Sequence, residues 1–135
     1  MPDSLRLDAT AKQRLMTLKR RTGIGTWNVI CRWAFCLSLS IPLPDQHTIR
    51  SDFAPTELEI PWHIFSGRFD FAYRALLYDE CIRRDAPFEK KVLSGMLREH
   101  VERGLGYLIS KCAGSGPHIL AELTTSPRHD KLDHP

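Results

Sequence analysis

The sequence predicts a mainly α-helical domain that begins with a short strand, and three observations support this. Apolar residues recur at helical spacing in four long segments, each bounded by a turn or a capping residue. The residues before the first helix alternate polar and apolar, which is the period of a half-buried strand. A composition of 42% hydrophobic and 26% charged residues is typical of a globular protein. We expect one domain over residues 1–113 and a flexible tail over 114–135.

The strand and the first helix follow each other directly. The strand is Ser4 to Leu7, in which Arg6 points outward if the leucines face the core. Asp8 has the side chain of an N-cap, and Gly23 stands where a left-handed C-cap belongs. Between these caps, one stripe at helical spacing should face the core: Ala11, Leu15, Leu18 and Thr22.

The second helix is apolar almost all round. Ten of the thirteen residues from Trp27 to Leu39 are apolar, Arg32 is the only charge, and Thr26 is a candidate N-cap. A helix so short and apolar must be buried on most of its circumference. One chain of this size can hardly surround it, so the sequence predicts a homo-oligomer, such as a tetramer. The residues expected at subunit contacts are Gly23, Gly25, Trp27, Trp33 and Phe35.

The two glycines of the turn allow two interpretations. Gly23 fits a helix C-cap, which needs a positive φ angle. A cap does not require Gly25, and neither residue has a Cβ, so a neighbouring chain can approach the turn closely. The turn is therefore also a candidate position for a symmetry axis.

The order strand, helix, turn, helix resembles the start of a ribbon-helix-helix protein, in which strands from two chains pair and enter the DNA major groove. A proline-containing loop at residues 41–56 and a short strand or extended stretch within 57–65 should follow. Trp62 and Phe65 are expected to cover the core. Two further helices are predicted: 68–84, with a broad apolar face, and 88–111. The charged residues expected on the solvent side of the last helix are Lys90, Lys91, Arg98, Glu99, Glu102 and Arg103.

Positive charge is concentrated at the N-terminal end. The net charge is +3, but residues 1–32 carry seven Lys or Arg and two acids, which gives +5, so the remaining 103 residues sum to −2. This asymmetry suits a polyanionic partner such as double-stranded DNA, although a solvated helix face has the same composition. The candidate phosphate contacts are Arg6, Lys12, Arg14, Lys19, Arg20 and Arg21, followed by Lys90 and Lys91.

The other reactive residue types predict neither catalysis nor a bound cofactor. The four cysteines show no disulfide or metal-binding spacing, and His63 and His100 are isolated. With no secretory signal and no apolar run of membrane-spanning length, we expect a cytoplasmic protein with reduced thiols. We assign no catalytic residue, no metal and no cofactor.

The run LKRRTGIGTWNVICRWAFCLSLS at residues 18–40 resembles the most characteristic segment of the DndE family of DNA phosphorothioation (sulfur-modification) proteins. It joins a basic helix end, a glycine turn and an unusual Trp/Cys/Arg/Trp/Phe/Cys sequence, and the preceding RLDATAKQRL also fits. The resemblance implies a small DNA-binding component that favours nicked duplex and assembles as a homo-oligomer. It would act beside the other proteins of the sulfur-modification pathway.

Two alternatives remain open at this point. A Mg²⁺-dependent nicking endonuclease would need a carboxylate cluster, for which the candidates are Asp45, Asp52, Glu57 and Glu59. However, no lysine follows Glu57 and Glu59 closely enough for a common nuclease pattern. A ribbon-helix-helix transcriptional regulator would read one operator through strand residues around Arg6.

Overall fold

The computed structural model describes residues 1–42 and 55–115, which form five helices, one 3-10 turn and a two-stranded sheet. In chain order these are β1 (Ser4–Leu7), α1 (Ala9–Thr22), α2 (Trp27–Ser40), β2 (Leu58–Pro61), α3 (Trp62–Ser66), the 3-10 turn (Gly67–Phe69), α4 (Asp70–Arg83) and α5 (Lys90–Ser115). The mainly helical fold and its strand–helix–turn–helix start are therefore confirmed. The short helix α3 was not predicted.

The sheet is formed within one chain. β1 and β2 pair antiparallel, with Leu5 opposite Ile60 and Arg6 opposite Glu59. Leu5, Leu7 and Ile60 are buried, whereas Arg6 and Glu59 face solvent. The alternation predicted for β1 is therefore seen from Leu5 to Leu7, while Ser4 is also buried. The strand of a ribbon-helix-helix protein pairs with the same strand of a second chain. Here β1 instead has β2 of its own chain as its partner.

Helix α1 begins and ends at the predicted caps. The Asp8 carboxylate accepts a hydrogen bond from the backbone N–H of Ala11 at 2.8 Å. Gly23 has a φ of 77° and donates its N–H to the carbonyl of Lys19, which is the left-handed C-cap. Thr26 occupies the N-cap position of α2, but its side chain makes no capping hydrogen bond.

The most enclosed helix is α5, and not α2 as the sequence suggested. Helix α5 packs against α2, α1, α4 and β1, and its apolar residues form the centre of the core. Helix α2 crosses it so closely that Gly104 lies directly against the backbone of Ala34. Phe35, wholly buried on α2, packs edge-on against Phe65 and His100. The other side of α2 remains open, since Cys36 is exposed.

The predicted solvent face of α5 is largely buried, which corrects the sequence-based interpretation. Arg98 is only 2% exposed, and Glu99, His100 and Glu102 are also buried. Their charges are paired: Arg84 of α4 contacts Glu99 at 2.9 Å, and Arg98 contacts Glu102 at 3.1 Å. Buried charges are tolerated in a fold when they are paired in this way. Because these charged residues are paired, α5 can be buried although its composition is that of a surface helix.

For helix α4 the prediction was wrong in the opposite direction, because a face predicted to be buried is exposed. It was predicted to bury a broad apolar face, but the structure buries Tyr73, Leu77 and Cys81 and leaves most of that face in solvent. The large apolar residues exposed on α4 are Phe71, Leu76, Tyr78 and Ile82.

Several predictions concern residues 43–54 and 116–135, outside the described ranges. These are most of the proline-containing loop, the candidate acids Asp45 and Asp52, and nearly all of the predicted tail. In the part of the chain that the structure does describe, no helix combines the length and apolarity needed to cross a membrane. Trp62 and Phe65 are both buried, as predicted.

Candidate nucleic-acid interface

The structure brings together three of the predicted phosphate contacts that are far apart in the sequence. Arg6 on β1 and Lys90 and Lys91 at the start of α5 border one cleft of about 310 Å³, which we call the α5 cleft. Its complete lining is Asp3, Ser4, Arg6, Lys90, Lys91 and Ser94. Three cations and the Ser94 hydroxyl thus border a concave space that also contains the Asp3 carboxylate, while the Ser4 hydroxyl already donates to Glu59 at 2.8 Å. Ammonium, guanidinium and hydroxyl groups are donors from which phosphate oxygens accept hydrogen bonds.

The position of the α5 cleft at a helix start adds to its attraction for anions. Helix α5 is 26 residues long, begins at Lys90 and has no acidic residue in its first turn. The first N–H groups of a helix have no intrahelical acceptor, and the helix dipole places partial positive charge there. Backbone donors and lysine ammonium groups therefore act at the same end of the helix.

Two of the three cations of the α5 cleft, Lys90 and Arg6, form ion pairs that leave them exposed. Lys90 Nζ lies 3.1 Å from Asp3 Oδ1, and Arg6 Nε lies 3.9 Å from Glu59 Oε1. All four side chains are about half exposed or more. Exposed pairs of this kind contribute little to stability, so a phosphate can displace the carboxylates at small cost.

A second concave surface lies at the end of α1, and we call it the Trp27 groove. It has a volume of about 460 Å³ and includes Lys19, Thr26, Trp27 and Asn28 together with β2 and Ile64. The Lys19 ammonium sits 5.7 Å from the centre of the Trp27 ring, a cation–π contact that holds both side chains at the start of α2. The groove therefore offers one cation, an aromatic surface and the uncapped end of a helix.

The sheet connects the two concave surfaces. Ser4 and Arg6 of β1 belong to the α5 cleft, while Glu59 of the neighbouring strand belongs to the Trp27 groove. Four predicted phosphate contacts consequently lie on or beside one sheet: Arg6, Lys19, Lys90 and Lys91. Sequence reasoning missed this grouping, because only the pairing of β1 with β2 and the packing of β1 on α5 create it.

The remaining predicted cations lie elsewhere on α1. Arg20 is exposed, and Lys12 is half-buried. Arg14 packs beside Gly106 of α5, and Arg21 donates a hydrogen bond to the carbonyl of Cys112 at 3.0 Å. Arg21 thus satisfies a carbonyl near the end of α5, a structural use of its charge.

The residues predicted at subunit contacts differ in their exposure. Gly23 and Gly25 are exposed, and a Cβ built on either meets no atom within 4 Å. No close approach within the described part of the chain therefore requires Gly25. Trp27 and Trp33 are half-buried and can contact a second copy. Phe35 cannot, because it is fully enclosed in the core of its own chain.

Of the acidic residues considered for metal binding, the structure describes Glu57 and Glu59. Glu57 and Glu59 are exposed, and Glu59 accepts a hydrogen bond from Ser4 at 2.8 Å. Among residues 1–42 and 55–115, no group of three His, Cys, Asp or Glu side chains is arranged to hold a metal ion.

The four cysteines, all within the described ranges, are free thiols. Cys31, Cys81 and Cys112 are buried, and burial raises the pKa of Cys31 to about 12. Thiols that stay protonated at neutral pH are weak nucleophiles, so Cys31 acts as a small core residue.

Sequence reasoning also missed a buried polar chain that joins three helices. Ser38 Oγ of α2 lies 2.8 Å from His100 Nδ1 of α5, and His100 Nε2 lies 2.6 Å from Glu80 Oε2 of α4. This order resembles a hydrolase triad, but all three residues are buried, so a substrate cannot reach the Ser38 hydroxyl. The pKa of Glu80 is lowered, chiefly by the hydrogen bond from His100. We therefore assign the hydrogen-bonded residues Ser38, His100 and Glu80 a structural role.

Comparisons with known proteins agree with the family resemblance seen in residues 18–40. The family model described as "DNA sulphur modification protein DndE" matches residues 4–113. A similar solved structure is the crystal structure of DndE from Escherichia coli B7A, a protein involved in DNA phosphorothioation modification. The two chains are 25% identical with a TM-score of 0.65, and the match covers 80% of this chain and 97% of the other. No curated protein gave a significant match. Since the family model spans most of the sequence and a DndE crystal structure shares its fold, the chain belongs to the DndE family.

Proposed function

We propose that this protein is a non-catalytic DNA-binding component of a bacterial DNA phosphorothioation system. It binds duplex DNA through the phosphate backbone, prefers nicked duplex, and acts in the cytoplasm as a homo-oligomer. The bond-making chemistry belongs to other proteins of the sulfur-modification pathway. The observation that carries the proposal is the α5 cleft, where Arg6, Lys90 and Lys91 converge at the start of a 26-residue helix.

The chemistry of the α5 cleft supports contact with phosphates and not with bases. Lysine and arginine neutralise backbone charge and release counterions, which gives affinity without sequence selectivity. Base reading needs side chains that reach hydrogen-bonding edges in a groove, usually from a helix or strand lying within it. The cations here surround a concave space beside the sheet, so they suit a backbone that passes over the surface.

A preference for nicked duplex follows if one DNA contacts both concave surfaces. The α5 cleft and the Trp27 groove both include residues of the sheet, so a duplex that bends across the sheet can present phosphates to both. Bending an intact duplex costs free energy, and a strand break lowers that cost. Selection of DNA geometry in this way suits an accessory protein that acts at a site chosen by its partners.

Binding should weaken when the lysines of the α5 cleft lose their charge. We expect Lys90→Gln combined with Lys91→Gln to lower affinity for duplex DNA and to reduce the magnitude of the salt slope by about two, because about two phosphate contacts are lost. The measurement is fluorescence anisotropy with labelled intact and nicked duplexes of one sequence over a salt series.

The matched control is Arg68→Gln combined with Lys111→Gln. It removes the same charge from exposed positions, one of them about 30 Å along α5 from Lys90. An equal loss in both double variants would mean that only net charge matters, and would contradict the proposed cleft. Resistance of the complex to random competitor duplex would favour a sequence-specific regulator, and Mg²⁺-dependent nicking of plasmid would favour an endonuclease.

A further inference from the structure

We propose that the outward face of α4 pairs in parallel with α4 of a second copy about a two-fold axis. The proposal names a surface for the self-association included in the proposed function, and it rests on that part of it. The surface consists of Phe71, Ala75, Tyr78 and Ile82, extended by Phe88, and we call it the α4 stripe.

The α4 stripe contains four of the eight large apolar residues that are exposed in the described part of the chain. Phe71 is 85% exposed, Ile82 70% and Phe88 57%. The rings of Tyr78 and Phe88 meet edge-on with their centres 4.9 Å apart, so the two residues form one continuous surface. A contiguous apolar surface of this kind on a globular protein marks an interaction site.

The spacing of the stripe fits another helix. Phe71, Ala75, Tyr78 and Ile82 are separated by four, three and four residues, which is the spacing of d and a positions in a coiled coil. The stripe points directly away from the core, because Tyr73, Leu77 and Cys81 occupy the opposite side of α4. A facing helix can therefore cover the whole stripe without disturbing the domain.

The charges beside the stripe identify a second copy as the occupant. Arg74 precedes Ala75 on one flank, and Asp79 follows Tyr78 on the other, which places them at g and e positions. When two such helices lie parallel, Arg74 of each copy approaches Asp79 of the other. Antiparallel pairing would instead bring Arg74 beside Arg74 and Asp79 beside Asp79. The helix is therefore complementary to itself in the parallel orientation only.

The side chains are already held in suitable positions. Arg74 contacts Asp70 at 2.7 Å, and Asp79 contacts Arg83 at 3.1 Å, each pair one turn apart on its own flank. All four side chains remain well exposed, so Arg74 and Asp79 can each accept a further partner. Pairing would also carry two α5 clefts on one particle, and one DNA bound to both would be held more tightly than by either alone.

The mass of the full-length protein in solution, measured without DNA by sedimentation velocity, tests the surface. We expect Phe71→Glu combined with Ile82→Glu to reduce the mass of the particle to that of the next smaller assembly. Pairing of two variant copies would have to bury four carboxylates. Met16→Glu, at an exposed apolar position on α1, serves as the control and should leave the mass unchanged. Circular dichroism checks that all variants fold.

A charge exchange tests the parallel orientation. Arg74→Glu alone places a second carboxylate against Asp79 of the other copy, and Asp79→Lys alone places two cations together, so each variant should associate at least tenfold more weakly. An equimolar mixture of the two variants should regain association, because the contact between unlike copies then joins opposite charges. A mixture that associates no better than its components would overturn the parallel pairing.

The outcomes separate this proposal from the proposed function. A wild-type protein that is monomeric at micromolar concentration would overturn self-association and the α4 pairing together, while the DNA-binding measurement would stand by itself. A wild-type oligomer whose mass is unaffected by the α4 variants would overturn only the assignment of the surface.

Discussion

Replacing Gly104 with alanine is expected to lower the free energy of unfolding by about 4 kcal/mol, enough to lower the melting temperature by roughly 15 °C. A Cβ at this position would lie 1.8 Å from the carbonyl oxygen of Ala34 and 2.6 Å from its Cα. These are backbone atoms of α2, so no side-chain rotation relieves the clash. Helices α2 and α5 would have to move apart, and their contact is the most extensive between any two elements of the described fold.

Gly106 provides a control on the same helix. A Cβ there would meet only the guanidinium of Arg14 at 3.4 Å, which is the mobile end of a long side chain. Gly106→Ala should therefore be neutral or should stabilise the protein by up to about 1 kcal/mol, because alanine favours a helix. Thermal and urea unfolding of both variants give the comparison. Equal melting temperatures would contradict so close a crossing of α2 and α5.

Glu80→Gln should cost about 3 kcal/mol of unfolding free energy at neutral pH. Glu80 is 4% exposed, and its carboxylate contacts His100 at 2.6 Å and Arg83 at 2.5 Å. Loss of its negative charge leaves these donors, and the nearby guanidinium of Arg84, without their shared anion. Because the chain from Ser38 through His100 to Glu80 connects α2, α5 and α4, its loss should loosen α4 first.

The same interaction predicts a dependence on pH. The hydrogen bond from His100 and the adjacent arginines lower the pKa of Glu80 below its ordinary value of 4.5. A carboxyl group whose pKa is lowered by folding stabilises the native state above its unfolded pKa, and this contribution is lost as the pH falls through the folded pKa. The difference between wild type and Glu80→Gln should therefore be full at pH 7 and should shrink in acid below about pH 4.5.

Asp3→Asn is the control for Glu80→Gln. It removes a carboxylate that also contacts a cation, Lys90, but both side chains are more than 60% exposed. An exposed ion pair contributes at most about 1 kcal/mol, so this change should be small at every pH. A difference between wild type and Glu80→Gln that does not change between pH 7 and acid would show that charge is not the cause.

Helix α5 links the stability of the fold to the candidate site. Its middle carries Gly104 and His100, which set the crossing with α2 and the connection to α4, and its first residues, Lys90 and Lys91, border the cationic cleft. Arg103 further ties α5 to the end of α2 through the carbonyls of Ser38 and Ile41. Lys90 and Lys91, the proposed phosphate contacts, thus belong to the most firmly held element of the molecule, which keeps them in position.

Local signals predicted the N-terminal half well. The period of Ser4 to Leu7 placed β1, and Asp8 and Gly23 placed both ends of α1, because strand alternation and helix caps depend on residues within a few positions. The concentration of positive charge at this end can likewise be counted directly from the sequence. The run at residues 18–40 was sufficient to indicate the DndE family.

The sequence by itself determined the helical class, the family and which residue types can meet a phosphate. Only the tertiary structure decided which helix is central, because the buried ion pairs of α5 look like surface charges until α1 and α4 cover them. It alone joined Arg6 to Lys90 and Lys91 and left the apolar face of α4 in solvent. Periodicity gives the direction of a face around one helix, but what covers that face depends on contacts between residues distant in the chain.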